Sequence, residues 1–242
     1  MENNYPPPSG IGSVLSQAFG YWSRTLTYQV FYSMLYLSLF FLGYFYLFQY
    51  FGLWEQVVPY SDLMRTDFPA FNKKMEEVAR LPQIANFMLS VFVLLALLAP
   101  LNVGFYKIYR KLDLGEKPNI NDLFAGYLGF DFFKFFGFYL FWIIIFSYAN
   151  SLLLLGVVWC FITLFSVPLL FFMDVKTFQG IGYSVQALRR GFIMILVCVI
   201  IAFAFSISGI LLFGFGFLFT FPFWNAMIYA LYQYFFNETV KN

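Results

Sequence analysis

The side chains that could do chemistry here are few and narrow in kind. His is absent from all 242 residues, which removes His-based triads, imidazole-ligated metals and membrane oxygenases that hold iron with imidazoles. Cys160 and Cys198 lie inside apolar runs, form no motif and read as small apolar fillers. The paired acids Glu76 and Glu77 precede Arg80 by a few residues, a spacing that could serve acid–base work, but no His accompanies them. Asp67 followed by Pro69 instead opens an amphipathic helix, with Phe68, Phe71, Met75 and Val78 on its apolar face. Asp131 and Lys134, one helical turn apart, read as a local ion pair. Asn102 and Asn225 each follow a proline within an apolar run. They are candidate intramembrane polar contacts, either joining helices at about 0.6–2 kcal/mol each or lining a polar pocket. No catalytic, cofactor-binding or metal-binding residue emerges, and the expectation is a protein that is not an enzyme.

What must position these residues is a membrane-embedded helical chain. Hydrophobic residues make up 62% and charged ones 11%, against about 25% charged in soluble domains, and mean hydropathy is +0.75. No stretch is polar enough for a soluble domain, so 1–242 reads as a single integral membrane domain. The net charge of +2 is not clustered as a nucleic-acid binder requires, and no nucleic-acid partner is expected.

A spanning helix needs about 20 apolar residues. Runs at 28–54 and 84–106 supply two; 135–173 divides near Asn150, and 192–236 divides around Gly209. The expectation is an all-α, polytopic bundle of six transmembrane helices in three hairpins. The N-terminal stretch, with its three prolines, has no basic region or cleavage site and does not read as a signal peptide. With the N-terminus inside, ten Lys and Arg fall on cytoplasmic segments and four (Arg65, Lys73, Lys74, Arg80) in an outer loop. Both termini are therefore expected in the cytoplasm, across the inner membrane.

An amphipathic surface helix is expected before each hairpin. The first has Ile11, Val14, Leu15, Ala18, Phe19 and Trp22 on one face, and Asn121 reads as the N-cap of the second. The third has Phe178, Ile181, Val185 and Leu188 opposite Gln179, Gln186, Arg189 and Arg190. The resulting threefold pattern covers 10–106 (with a polar outer loop at 55–82), 119–173 and 177–236. The second span of each unit carries a proline, Pro100, Pro168 or Pro222, read as a helix kink. Such kinks could shape a cavity or be packing features.

The run GIGSVLSQAF at 10–19, GFYKIYR at 104–110, DLF at 122–124 and PFWNAMIYALY at 222–232 together resemble the multi-span membrane domains found alone or fused to glycerophosphodiester phosphodiesterases, with the YciC-like proteins as relatives. The resemblance covers most of the chain through architectural motifs. It implies an integral membrane protein of unsettled function and brings no catalytic residue. No phosphodiesterase barrel is contained in these residues, so that activity is not carried over.

Three function classes follow. The first is a non-enzymatic protein of membrane or lipid organisation and homeostasis, with membrane lipids as partners. The others are a facilitator-type transporter of a small uncharged or amphipathic solute, and an auxiliary subunit of a membrane complex. A homo-oligomer is equally open.

Overall fold

The computed structural model describes residues 10–211 and 214–236; the proline-rich N-terminal stretch and Lys241 lie outside them. It is helical, with no strand among the described residues. In chain order the helices are α1 (Ile11–Arg24), α2 (Leu26–Tyr50), α3 (Leu53–Val57), α4 (Leu63–Thr66), α5 (Phe68–Ala79), α6 (Pro82–Leu98) and α7 (Leu101–Asp113). There follow a 3-10 segment (Ile120–Tyr127), then α8 (Asp131–Ala149), α9 (Leu153–Ile162), α10 (Ser166–Phe172), α11 (Thr177–Ser208), α12 (Phe217–Thr220) and α13 (Phe223–Phe236). Among the described residues five stretches are long and apolar enough to cross a membrane: Leu26–Tyr50, Pro82–Asp113, Asp131–Ala149, Leu154–Phe172 and Thr177–Leu211. The expected sixth is in two pieces, α12 and α13, parted at Phe221 and Pro222. Pro222 lacks the N–H that would continue the ladder, so neither piece alone is long enough to span.

Two compact units form, one from the chain up to Leu35 and from Ala99 onward, the other from Tyr36–Leu98. The second unit centres on Leu53, Phe87 and Val91, with Leu47, Phe48, Phe51, Val78 and Ile84 packed around them. Gly43 faces Leu94 where a Cβ would collide with its methyls, so the glycine sets how closely these helices approach. In α5 the Asp67 carboxylate accepts from the Ala70 N–H at 3.0 Å, a side-chain cap. Glu77 pairs with Lys74 at 2.7 Å on the exposed side of that helix, so the paired glutamates lie on a solvated face.

In the first unit, each proline falls at or beside a helix break. α6 ends at Leu98 and α7 starts at Leu101, after Pro100; α12 and α13 flank Pro222; and the turn Thr163–Phe165 lies just before Pro168, in the first turn of α10. The helices after the breaks are the most buried in the chain. Ser166 to Leu170 are all buried in α10, and in α13 every residue from Asn225 to Gln233 is buried. A helix buried on nearly every side belongs in a core, and α13 occupies one. Its rings meet those of α7 and α10: Tyr229 lies 6.4 Å from Tyr106 and 5.8 Å from Phe172. Such aromatic pairs contribute about 0.5–1.5 kcal/mol each beyond the area they bury.

The elements that precede the spans pack on these post-proline helices in a fixed order. α1 lies on α13, with Phe19 against Phe223 and Tyr21 against Tyr229. The 3-10 segment lies on α7 so tightly that a Cβ on Gly104 would enter the Leu123 backbone. The start of α11 lies on α10, where the Ser184 hydroxyl accepts from the Phe165 N–H at 3.3 Å. One sequence expectation is corrected here. Asn119, not Asn121, caps the second element: its Oδ1 accepts from the Asn121 N–H at 3.0 Å while Asp122 reaches back to the Asn119 N–H at 2.8 Å. That reciprocal box pulls the start two residues earlier, and the segment winds as 3-10. The third element meets α10 through the small residues Gly180 and Ser184, with Ala187 also buried, while Phe178 is 76% exposed. α11 then leaves helical geometry at Gly191 (φ −150°, ψ 44°) before running on to Ser208.

Candidate functional site

Along α7, Asn102, Tyr106, Tyr109 and Asp113 recur at helical spacing and share one face; along α13, Asn225, Tyr229 and Gln233 recur every fourth residue. The two faces meet, and α1 with the start of α2 supplies the third wall. The result is a ladder of polar groups in the first unit, within otherwise aromatic packing.

At one end the structure brings Asn102 and Asn225 together. Asn225 Nδ2 donates to Asn102 Oδ1 at 3.0 Å, and the Tyr32 hydroxyl donates to the same oxygen at 2.8 Å. Asn102 Nδ2 turns back to the Ala99 carbonyl at 3.0 Å, beside the break at Pro100. Pro100 and Pro222 thus each stand just before an amide of this pair, whereas Pro168 has no such neighbour and its break is held by Ser184. In the middle, Gln29 Nε2 donates to Thr25 Oγ1 at 2.9 Å and to the Tyr109 hydroxyl at 3.3 Å.

Asp113 is the other end and the only acid in the ladder. Its Oδ1 accepts from the Tyr21 hydroxyl at 2.5 Å and its Oδ2 from the Tyr229 hydroxyl at 2.6 Å and Gln233 Nε2 at 3.2 Å. A carboxylate at the C-terminal end of a helix faces the negative end of the helix dipole. Three donors from α1 and α13 offset that penalty and draw α1, α7 and α13 into one fastening. Gln29 Oε1 and Gln233 Oε1 are buried acceptors that no donor among the described residues reaches.

Beside the ladder lies an ionic cluster. Asp122 is buried and takes Lys111 at 2.8 Å and Lys107 at 3.2 Å. Burial alone would raise its carboxyl pKa, but the bonds from Lys111, the Asn119 N–H and Lys107 outweigh it and hold the group below the usual carboxylate range. Lys134 lies 3.6 Å from Asp131 but only 2.6 Å from Asp174, so the pairing expected within one helix is shared with a loop acid. Lys134 in turn holds Asp174 below its ordinary value. A cavity of about 160 Å³ opens between α8 and the start of α11, lined by Gly137, Phe138, Phe141, Thr177 and Phe178.

Sequence reasoning singled out the two asparagines and missed Asp113, Tyr21, Tyr229 and Gln233. The missed signal was the four-residue recurrence of polar groups from Asn225 to Gln233 and its counterpart from Asn102 to Asp113. Comparison with protein-family models, curated proteins and solved structures gives no match for this chain.

Proposed function

We propose that the chain is a non-enzymatic protein of the inner membrane that organises or handles lipid. The observation that carries this reading is the contrast between a filled interior and a broad apolar exterior. Leu154, Ile193 and Leu42 are 80%, 73% and 69% exposed on separate candidate spans, a pattern that needs lipid as solvent. The best-formed cavity described, about 160 Å³, is below the roughly 300–1,000 Å³ of a small-molecule site.

The membrane placement follows from lengths. α11 has 32 residues, about 48 Å at 1.5 Å per residue, against a hydrocarbon core of about 30 Å. Gly191 divides it, so residues 192–208 cross the bilayer and the preceding part lies at its surface. We infer six spans in three repeats, each introduced by a surface element, with both termini cytoplasmic. Two facts support the repeats: each post-proline helix is buried, and each surface element rests on the post-proline helix of the preceding repeat, the first on the last. The resemblance to the membrane domains associated with glycerophosphodiester phosphodiesterases is proposed on the same footing. Its motifs at 104–110 and 122–124 pack against each other through Gly104, Leu123, Lys107 and Asp122.

Native mass spectrometry of the purified chain tests the lipid reading: retained phospholipid is expected, and consistent recovery of bare protein would overturn it. Reporters at Asn242 and between Asp62 and Arg80 test the topology, and finding both on one side would reject six spans. A facilitator for a small uncharged solute is the second reading, favoured by the buried acceptors Gln29 Oε1 and Gln233 Oε1, which a passing hydrogen-bond donor could use. Solute uptake into vesicles holding the protein, abolished by Gln29→Leu without loss of fold, would move that reading ahead.

A further inference from the structure

We propose that Arg24, Arg110, Arg189 and Arg190 form a binding surface for the phosphate groups of anionic phospholipids, an inference that rests on the lipid reading and names its ligand class. Arg24 is the last residue of α1, with α2 beginning at Leu26, and Arg189 and Arg190 immediately precede the break at Gly191. Both places are where a surface element gives way to a candidate span, which is headgroup depth. The four side chains are exposed, and among the described residues none makes an ion pair.

Three lysines of this unit are already engaged: Lys107 and Lys111 hold Asp122, and Lys134 is shared by Asp131 and Asp174, whereas Lys117 and Lys176 make no ion pair among the described residues. Asp113 could have neutralised Arg24 or Arg110, both of which act on it electrostatically. Its oxygens are instead taken by two tyrosine hydroxyls and an amide, so neutral donors satisfy the acid and leave the arginines free. The far end of the set is tied to the same place. Gly191 abuts the ring of Phe235, two residues beyond Gln233, which bonds Asp113. Charge follows the same division, since the segments 10–35 and 99–236 carry nine Lys and Arg against five acids, while Tyr36–Leu98 carries four against five. A guanidinium offers a planar fork that matches two phosphate oxygens, and four unpaired forks at headgroup depth fit an anionic bilayer surface.

The test uses the full chain purified into mixed micelles holding equal amounts of phosphatidylglycerol and phosphatidylcholine with identical acyl chains. The ratio of the two lipids retained is read by native mass spectrometry. A preference for phosphatidylglycerol of roughly fivefold or more is expected, the effect of about one basic residue at an anionic surface, and it should shrink as salt is raised. The combined variant Arg24→Gln, Arg110→Gln, Arg189→Gln and Arg190→Gln should bring the ratio close to one at unchanged total lipid. Lys73→Gln with Lys74→Gln should leave the ratio as it was. If the fourfold variant does not survive purification, Arg189→Gln with Arg190→Gln alone should lower the preference at least by about half. Lipid retained without preference in the parent chain would overturn this proposal and leave the lipid reading standing. Preference kept by the folded variants would place the anion site elsewhere and overturn it equally, and absence of any lipid would remove both readings.

Discussion

Asp113 and Tyr229 offer the sharpest probe of the ladder, through a double-mutant cycle of Asp113→Asn and Tyr229→Phe. The Tyr229 hydroxyl donates to the carboxylate at 2.6 Å, its residue is fully buried, and Gln233 Nε2 donates to the same hydroxyl. A hydrogen bond to a charged group contributes about 1.5–3 kcal/mol. Asp113 itself is only half-buried, so water screens part of that, and the lower half of the range applies. Each single change should cost about 1.5–2.5 kcal/mol, because it strands a donor or an acceptor in the packed seam. The double variant should cost less than the sum by about 1–2 kcal/mol. The assay is equilibrium unfolding in mixed micelles followed by ellipticity, with tryptophan fluorescence as a second probe. Costs that simply add, to within about 0.5 kcal/mol, would show that the two groups are neighbours without a shared bond. The fastening role of Asp113 would then be refuted.

Asn225→Leu removes one donor to Asn102 Oδ1, whereas Asn102→Leu also deprives the Tyr32 hydroxyl of its acceptor. The second should therefore destabilise more, with Asn225→Leu near 0.6 kcal/mol and Asn102→Leu about 1 kcal/mol beyond it; both should still fold as judged by gel filtration. Gly104→Ala would force a methyl into the Leu123 backbone and should cost about 3 kcal/mol or more, the upper range for overpacking, read as loss of the monodisperse peak. Asp122 has its carboxyl held below the ordinary value. Its stabilising effect is therefore complete above about pH 4 and is lost as pH falls through the lowered folded value. An acid titration of unfolding should be shallower for Asp122→Asn than for the parent chain, and equal slopes would reject the pairing with Lys107 and Lys111.

Hydropathy and proline placement made the helical, membrane-spanning class legible, together with the breaks at Pro100 and Pro222 and the amides beside them. Less visible was which helices lie inside. α13 and α9 are both apolar runs, yet α13 is buried on nearly every side and α9 exposes Leu154, Val157 and Val158. Lipid and protein interior are equally good solvents for such residues, so no apolar pattern separates them. Nor did the sequence show that the start of α11 meets α10 through its small residues, Gly180 and Ser184. Asp113 was hidden because, at the end of an apolar run, it reads as a flanking charge. Its partners Tyr21 and Tyr229 lie 92 and 116 positions away, separations across which no local periodicity carries information. The register of Asn102, Tyr109 and Asp113 on one face of α7 was present in the sequence, but only α13 alongside gives that face a meaning.

The ladder also explains why the chain can hold so many polar groups at little cost. Polar side chains in mid-bilayer are expensive, and the exposed faces of α8, α9 and the later part of α11 are almost wholly apolar. The polar groups collect instead on the post-proline helices and the elements that rest on them, where Tyr21, Tyr32, Tyr229, Gln233 and Asn225 donate to acceptors on another helix. After each proline break the helix is largely buried. α1 completes that core from the opposite end of the sequence, through Tyr21 on Asp113 and the Trp22 indole on the Phe219 carbonyl at 2.8 Å. The carbonyl at the third break is thus satisfied by α1, just as the N–H at the second break is satisfied by Ser184 near the start of α11. The elements that precede the candidate spans and the helix breaks are thus joined by hydrogen bonds. Displacing α1 or the start of α11 would strip a partner from the backbone groups at these two breaks.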